Sequence, residues 1–261
     1  MTILQTIIDY KRQEVKSRKE GIHRRILGES PFCRRKNISL REHLTREGAS
    51  GIIAEFKRLS PSKGPINLNA DVEQVTTGYT RAGASALSVL TDFNFFGGSA
   101  DDLTRARCNN HYIPILRKDF IIDEYQLLEA KSMGADAVLL IAECLEKWEV
   151  AALAKQAKDY GLEVLLELHD ESQLHKINDH IDLVGVNNRN LKDFSVSLDI
   201  ALRLAPLLPS RIVKVAESGL SDPAAVQMLR QAGYQGFLIG EHFMKSTDPA
   251  AACTRFIGSL T

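Results

Sequence analysis

The chain has 261 residues, 44% of them hydrophobic and 25% charged, the make-up of a globular protein with enough apolar material for a large core. Lysine plus arginine equals aspartate plus glutamate at 33 each, so no bulk charge excess draws the chain to nucleic acid or to a membrane surface. No apolar run approaches the roughly 18 residues of a membrane span, and the N-terminus lacks a charged-then-apolar signal pattern, so the expected location is the cytoplasm.

In chain order, residues 1–19 read as a helix. Ile3, Leu4, Ile7, Ile8 and Tyr10 supply an apolar stripe, and Lys11, Arg12, Glu14, Lys16 and Arg18 a charged end. Residues 20–50 are polar and broken by Gly21, Gly28 and Pro31, with a short helix expected near Leu40–Arg46. The stretch 1–48 is too short to hold a core of its own and is read as a helical extension packed on the main domain, 49–261.

From residue 51 short β-rich runs alternate with amphipathic helices. The expected strands are 52–56, 85–90, 113–117, 136–141, 162–168, 182–186, 211–216 and 236–239. Helical stretches are expected near 71–82, 100–108, 123–132, 145–160, 171–179, 197–205, 222–231 and 249–259. Eight strands each followed by a helix predict an α/β fold, a (β/α)8 TIM barrel. The run Arg81–Leu90 echoes Ser132–Ile141, and Gly161 and Gly233 repeat the same grammar: a glycine in the left-handed conformation ends a helix, and the next strand starts within about three residues. An open doubly wound sheet would need a glycine-rich turn after the first strand, and GxGxxG is absent.

Chemistry in such barrels collects at the carboxyl ends of the strands. The first strand gives Glu55 and Lys57, which share a face by their i, i+2 spacing, then Ser60 in the loop Ser60-Pro61-Ser62-Lys63-Gly64. Later strands end in Thr91, in Arg117-Lys118-Asp119-Phe120, in Glu167-Leu168-His169, in Asn187-Asn188-Arg189, in Glu217-Ser218-Gly219 and in Gly240-Glu241. Two lysines and three glutamates at one low-dielectric mouth perturb one another's ionisation, as a lysine acid and a glutamate base near neutral pH require. Ser218-Gly219 and Gly240 occupy the slots where barrels bind phosphate through backbone N–H groups; an acid at 241 would repel a dianion there unless it points away, which leaves its place in the grip open. Phe96 and Phe120 offer walls for a flat ring. Leu59–Pro65, bounded by Pro61 and Pro65, is expected to be a mobile lid. The four cysteines are far apart, without CxxC or clustered histidines, so no disulfide framework, metal or other cofactor is expected.

The runs IIAEFKRLSPSKG (52–64), LSVLTDFNFFGGS (87–99), PILRKDFIIDEYQLLEAKSMGADAVLLI (114–141), EVLLELHDE (163–171), VGVNNRNL (184–191), VAESGL (215–220) and LIGEHFMKS (238–246) resemble the indole-3-glycerol phosphate synthase family. The resemblance spans essentially all of 48–250, and LQTIIDYKRQEV (4–15) looks like the family's leading helix, which places the extension across the barrel mouth. It implies a carboxy-lyase of tryptophan biosynthesis acting on 1-(2-carboxyphenylamino)-1-deoxyribulose 5-phosphate. By that resemblance Lys118 is the general acid, Lys57 a second lysine that contacts substrate and has also been considered as an acid, and Glu167 the general base. Glu55 orients Lys57, Asn187 and Glu217 hold hydroxyl or amine groups, and Arg189 and Ser218 match binding positions. Ser60, Gly219 and Gly240 fit the phosphate grip. The alternatives are an isomerase of the phosphoribosylanthranilate type, which would want a cysteine at the first strand, and a binding-only relative, which would have lost Lys118 or Glu167. The implied partner is the small-molecule substrate, with a monomer or at most a weak dimer.

Overall fold

The apolar runs lie side by side in chain order, and every neighbouring pair is parallel. A computed structural model describes residues 2–190 and 193–260, so Leu191, which closes the VGVNNRNL motif, lies outside the described residues. The strands are β1 (Ile52–Phe56), β2 (Ala86–Leu90), β3 (Ile115–Lys118), β4 (Ala137–Ile141), β5 (Glu163–Leu168), β6 (Leu183–Asn187), β7 (Val213–Glu217) and β8 (Gly236–Ile239). Strand β8 returns to β1, pairing Ile52 with Phe237 and Ala54 with Ile239, and this closes an eight-stranded barrel.

Strand alternation builds two apolar layers. Ile52, Ala54 and Phe56 point outward into the core beneath the helices, with Val75, Leu103, Leu127 and Phe256. Ile53 points inward to Ala86, Leu116, Leu139, Leu165 and Leu238, which fill the barrel. Register then aligns the strand-end residues on one rim: Asn187 pairs with Glu217, Leu90 with Lys118, and Glu55 with Ser88.

The helices are α1 (Ile3–Gly21), α2 (Arg24–Gly28), α3 (Leu40–Thr45), α4 (Val72–Arg81), α5 (Phe93–Phe96), α6 (Ala100–Asn109), α7 (Glu124–Met133), α8 (Lys147–Asp159), α9 (Asp199–Leu204), α10 (Pro223–Gln231), α11 (Glu241–Met244) and α12 (Pro249–Gly258). Asp71, Ser99, Asp123, Asp222 and Asp248 cap helix starts by accepting a first-turn backbone N–H. The glycine grammar holds, since Gly83, Gly134, Gly161 and Gly233 all have φ between 72° and 93°. One helix differs: 171–179 forms only a 3-10 turn, Glu171–Lys176. There Gln173 is drawn inward, its Oε1 accepting the His169 N–H at 2.7 Å, and Lys176 donates to the Ala142 and Leu145 carbonyls, so the side chains tie the loop instead of extending a helix.

The extension divides between opposite ends of the barrel. Helix α1 lies at the carboxyl ends of the strands, where Ile3, Leu4 and Ile7 line the central cavity. Helix α3 sits at the other end. Its Leu40 and Leu44 join the inner layer, Ser39 Oγ donates to Glu163 at the start of β5, and Leu44 rests against Gly236 at the start of β8. Between them Arg35 pairs with buried Asp136 at 2.6 Å. Helix α1 thus lies at the mouth, whereas the two leucines of 31–46 complete the inner layer from below. Two residues of α1 also depart from their expected surroundings. Tyr10 is 41% exposed, its ring edge-on to Phe95, whereas Lys11 is fully buried.

Candidate active site

The rim residues enclose one cavity of about 440 Å³, and all thirteen candidates from the sequence line it. They arrive from the ends of seven strands because the parallel register puts every β-to-α turn on the same side.

At its floor, Lys118 Nζ lies 3.4 Å from Glu167 Oε2 and 3.3 Å from Glu217 Oε2. Burial alone would discharge the lysine, but Glu217, Glu167 and Glu55 outweigh it and raise its pKa, so it stays an ammonium. The two glutamates part company. Burial, with Glu167 and Glu55 close by, raises Glu217 far above the usual carboxylate range. Burial also opposes ionisation of Glu167, yet Lys118, His169 and a hydrogen bond from Asn187 Nδ2 at 3.2 Å hold its carboxyl below the ordinary value. Near neutrality the floor thus carries a protonated acid, an ammonium and a carboxylate, with Glu217 able to share its proton with Glu167.

Glu55 and Lys57 face the same way, as their spacing requires, and pair at 2.7 Å; Ser88 donates to the other Glu55 oxygen at 3.4 Å. On one side Phe96 and Phe120 form an apolar wall, ring centroids 5.9 Å apart. Opposite, after β7, Ser218 holds φ 69° and Gly219 φ 74°. A non-glycine residue in that conformation is strained, and such strain gathers at sites. A Cβ on Gly240 would come within 2.5 Å of Glu55 Oε1, so glycine is the residue that lets β8 pass the acid.

Glu241 does not point away from this region. It lines the cavity and is neutralised there by Lys245 at 2.5 Å, Arg189 at 3.5 Å and Lys63 at 3.9 Å. Burial works against its charge, but these cations prevail and lower its pKa. Lys63 belongs to the 59–65 loop, whose Leu59–Ser60 and Gly64–Pro65 form a small antiparallel ladder.

Three residues beside the site have no role in the sequence reading, although it places His169 at a strand end. His169, nearly buried, has Nε2 3.2 Å from Glu167 Oε1; its position two residues after Glu167 was the available signal. Gly185 on β6 leaves the space that Glu217 fills. Lys11 contacts Asp92 and Asp119 behind the aromatic wall.

Comparison with known proteins gives a consistent answer. The model of the family described as indole-3-glycerol phosphate synthase matches residues 4–256. The chain belongs to the indole-3-glycerol phosphate synthase family. A protein of that name from Bacteroides thetaiotaomicron is 50% identical over 258 residues, covering 99% of this chain and 98% of the relative. The one from Salinibacter ruber is 44% identical over 257 residues, covering 98% and 95%. Among solved structures, 3-hexulose-6-phosphate synthase from Salmonella typhimurium superposes with a TM-score of 0.65 at 13% identity, over 80% of this chain and 98% of that one. That likeness speaks for the barrel alone. Membership of the indole-3-glycerol phosphate synthase family displaces the isomerase and binding-only alternatives.

Proposed function

We propose that Lys118 and Glu167 are the acid and base with which this chain makes indole-3-glycerol phosphate. The chain is an indole-3-glycerol phosphate synthase, a carboxy-lyase of tryptophan biosynthesis. It closes the ring of 1-(2-carboxyphenylamino)-1-deoxyribulose 5-phosphate with loss of carbon dioxide and water. The observation that carries the residue roles is the placement of Lys118 Nζ between Glu167 and Glu217 at the floor of the cavity.

In this reading the aromatic carbon bearing the carboxylate attacks the ribulose carbonyl. The carbonyl oxygen gains negative charge, and the Lys118 ammonium delivers a proton to it, leaving a hydroxyl. Carbon dioxide departs and its bonding electrons restore the ring. The hydroxyl then takes a proton from the Lys57 ammonium and leaves as water, while Glu167, kept ionised by its neighbours, takes the proton from the adjacent carbon. Lys57, oriented by Glu55, supplies a second cation to the sugar. Asn187 and Glu217 hold hydroxyl or amine groups, with protonated Glu217 as a donor.

Phe96 and Phe120 flank the anthranilate ring in this arrangement. Ser60, Arg189, Ser218, Gly219 and Gly240 take the phosphate, whose binding folds the flexible chain for attack. The 59–65 hairpin is the lid. Residues 1–48 form an extension to a 49–261 catalytic barrel. The working unit is a monomer or at most a weak dimer in the cytoplasm, a location supported by free thiols at Cys33, Cys108, Cys144 and Cys253.

Incubating the protein with the anthranilate-derived ribulose phosphate and following indole fluorescence tests the reaction. Folded protein that generates no indole signal overturns the activity. A Lys118→Met variant as fast as the parent overturns the role of the lysine.

A further inference from the structure

We propose that Lys11, on helix α1, is a positioning residue that sets both the acid and the aromatic wall from behind. The inference rests on the reading of Lys118 as the acid. Lys11 is fully buried, and its ammonium meets Asp92 at 2.8 Å, Glu14 at 2.9 Å and Asp119 at 3.0 Å. A buried lysine is costly unless paired, and here three carboxylates converge on one nitrogen.

What those carboxylates hold gives the contact its meaning. Asp119 lies between Lys118 and Phe120 in sequence, and both neighbours line the cavity. Its Oδ1 accepts the Phe120 N–H at 2.8 Å; its Oδ2 takes Arg117 at 2.9 Å and the Thr91 hydroxyl at 2.5 Å. Arg117 in turn reaches Glu129 at 3.4 Å, and Arg18 of α1 joins Glu129 at 3.5 Å and Glu14 at 2.5 Å. Asp92 caps α5 through the Phe95 N–H at 2.8 Å, and α5 carries Phe96. So one cation ties the turn bearing the acid, the turn bearing half of the aromatic wall, and the helix whose Ile3, Leu4 and Ile7 cover the cavity. Around it stand four carboxylates, Glu14, Asp92, Asp119 and Glu129, against Lys11, Arg117 and Arg18. Without Lys11, Asp92 Oδ2 loses its ion pair and Asp119 keeps one cation, Arg117, of its two.

Lys11→Met keeps the length of the stem and removes the charge. Measured below the melting temperature of both proteins, its kcat/KM is expected to fall roughly 10²-fold, the scale of an ångström's misplacement. Competition by inorganic phosphate is expected to be unchanged, since the phosphate grip lies across the cavity after β7 and β8. Lys16→Met, an exposed lysine of the same helix, serves as the control and should match the parent. If Lys11→Met does not fold, Lys11→Met/Asp92→Asn restores the local charge balance and keeps a helix cap, and it is subject to the same expectation. Parental kcat and KM with only a lowered melting temperature would overturn the proposal, as would a phosphate inhibition constant that worsens in step with kcat/KM. Lys118→Met, run beside it, tests the acid itself, so loss of that reading is seen separately.

Discussion

Gly185 and Glu217 compete for one volume: a Cβ at position 185 would lie 2.1 Å from Glu217 Oε1. The glycine on β6 is therefore the space into which the acid on β7 folds. Gly185→Ala is expected to swing Glu217 off Lys118 and to lower turnover by about ten- to a hundredfold. Because both changes remove the same contact, the double variant Gly185→Ala/Glu217→Ala should be little worse than Glu217→Ala alone. Additive losses in that cycle would show that the alanine acts elsewhere.

Lys118→Met removes the cation that Glu167 and Glu217 surround. Turnover is expected to fall by about two to four orders of magnitude, the usual range for a general acid, with a smaller change in KM. Steady-state rates on the ribulose phosphate measure this, with single-turnover rates to exclude an effect confined to product release.

Glu217 also predicts a pH dependence of stability. Burial and its acidic neighbours push its carboxyl from 4.5 up to about 8. An acid whose pKa is raised on folding contributes stability that is complete below the unfolded value and is lost as pH climbs through the folded one. The loss should therefore run from about pH 4.5 to about pH 8. Glu217→Gln, which cannot ionise, should melt above the parent by more at pH 9 than at pH 5. Equal differences at the two pH values, read by thermal unfolding, would contradict the raised carboxyl.

Truncation separates the two ends of the extension. Deleting 1–22 removes α1 and should leave a folded barrel with poor catalytic efficiency, as water enters the mouth and Lys118 loses its support from behind. Deleting 1–48 also strips Leu40 and Leu44 from the inner layer. Each buried leucine contributes about 1.5–3 kcal/mol, and a domain has only about 5–15 kcal/mol to lose. The longer deletion should be far less stable, and circular dichroism melts of the two proteins decide the point.

The barrel was legible because its strands, buried on both faces, read as continuous apolar runs, and because left-handed glycines mark where helices end. The eight strands begin and end within two residues of expectation. The site was legible for the same reason: polar residues appear where each apolar run stops, and the fold brings those points to one rim. Lys11 was not, because a lysine reads as solvated surface, although its spacing from Ile7 and Val15 puts it on the buried face of α1. Gly185 was hidden too, since a strand glycine announces a missing side chain but not which neighbour needs the room. The placement of α3 at the far end rests on contacts with strand starts more than a hundred residues away, such as Ser39 with Glu163, and local pattern holds no record of those.

That same placement gives the chain an order of assembly. Leu44 packs against Gly236 at the start of the last strand, so a segment synthesised early finds its neighbour only when the last strand emerges. Until then Leu40 and Leu44 lack the last of the neighbours that enclose them in the finished barrel. Pairings this distant in sequence form slowly, and exposed leucines invite association between chains in the interval. In newly made protein the first fifty residues are the stretch most in need of a chaperone.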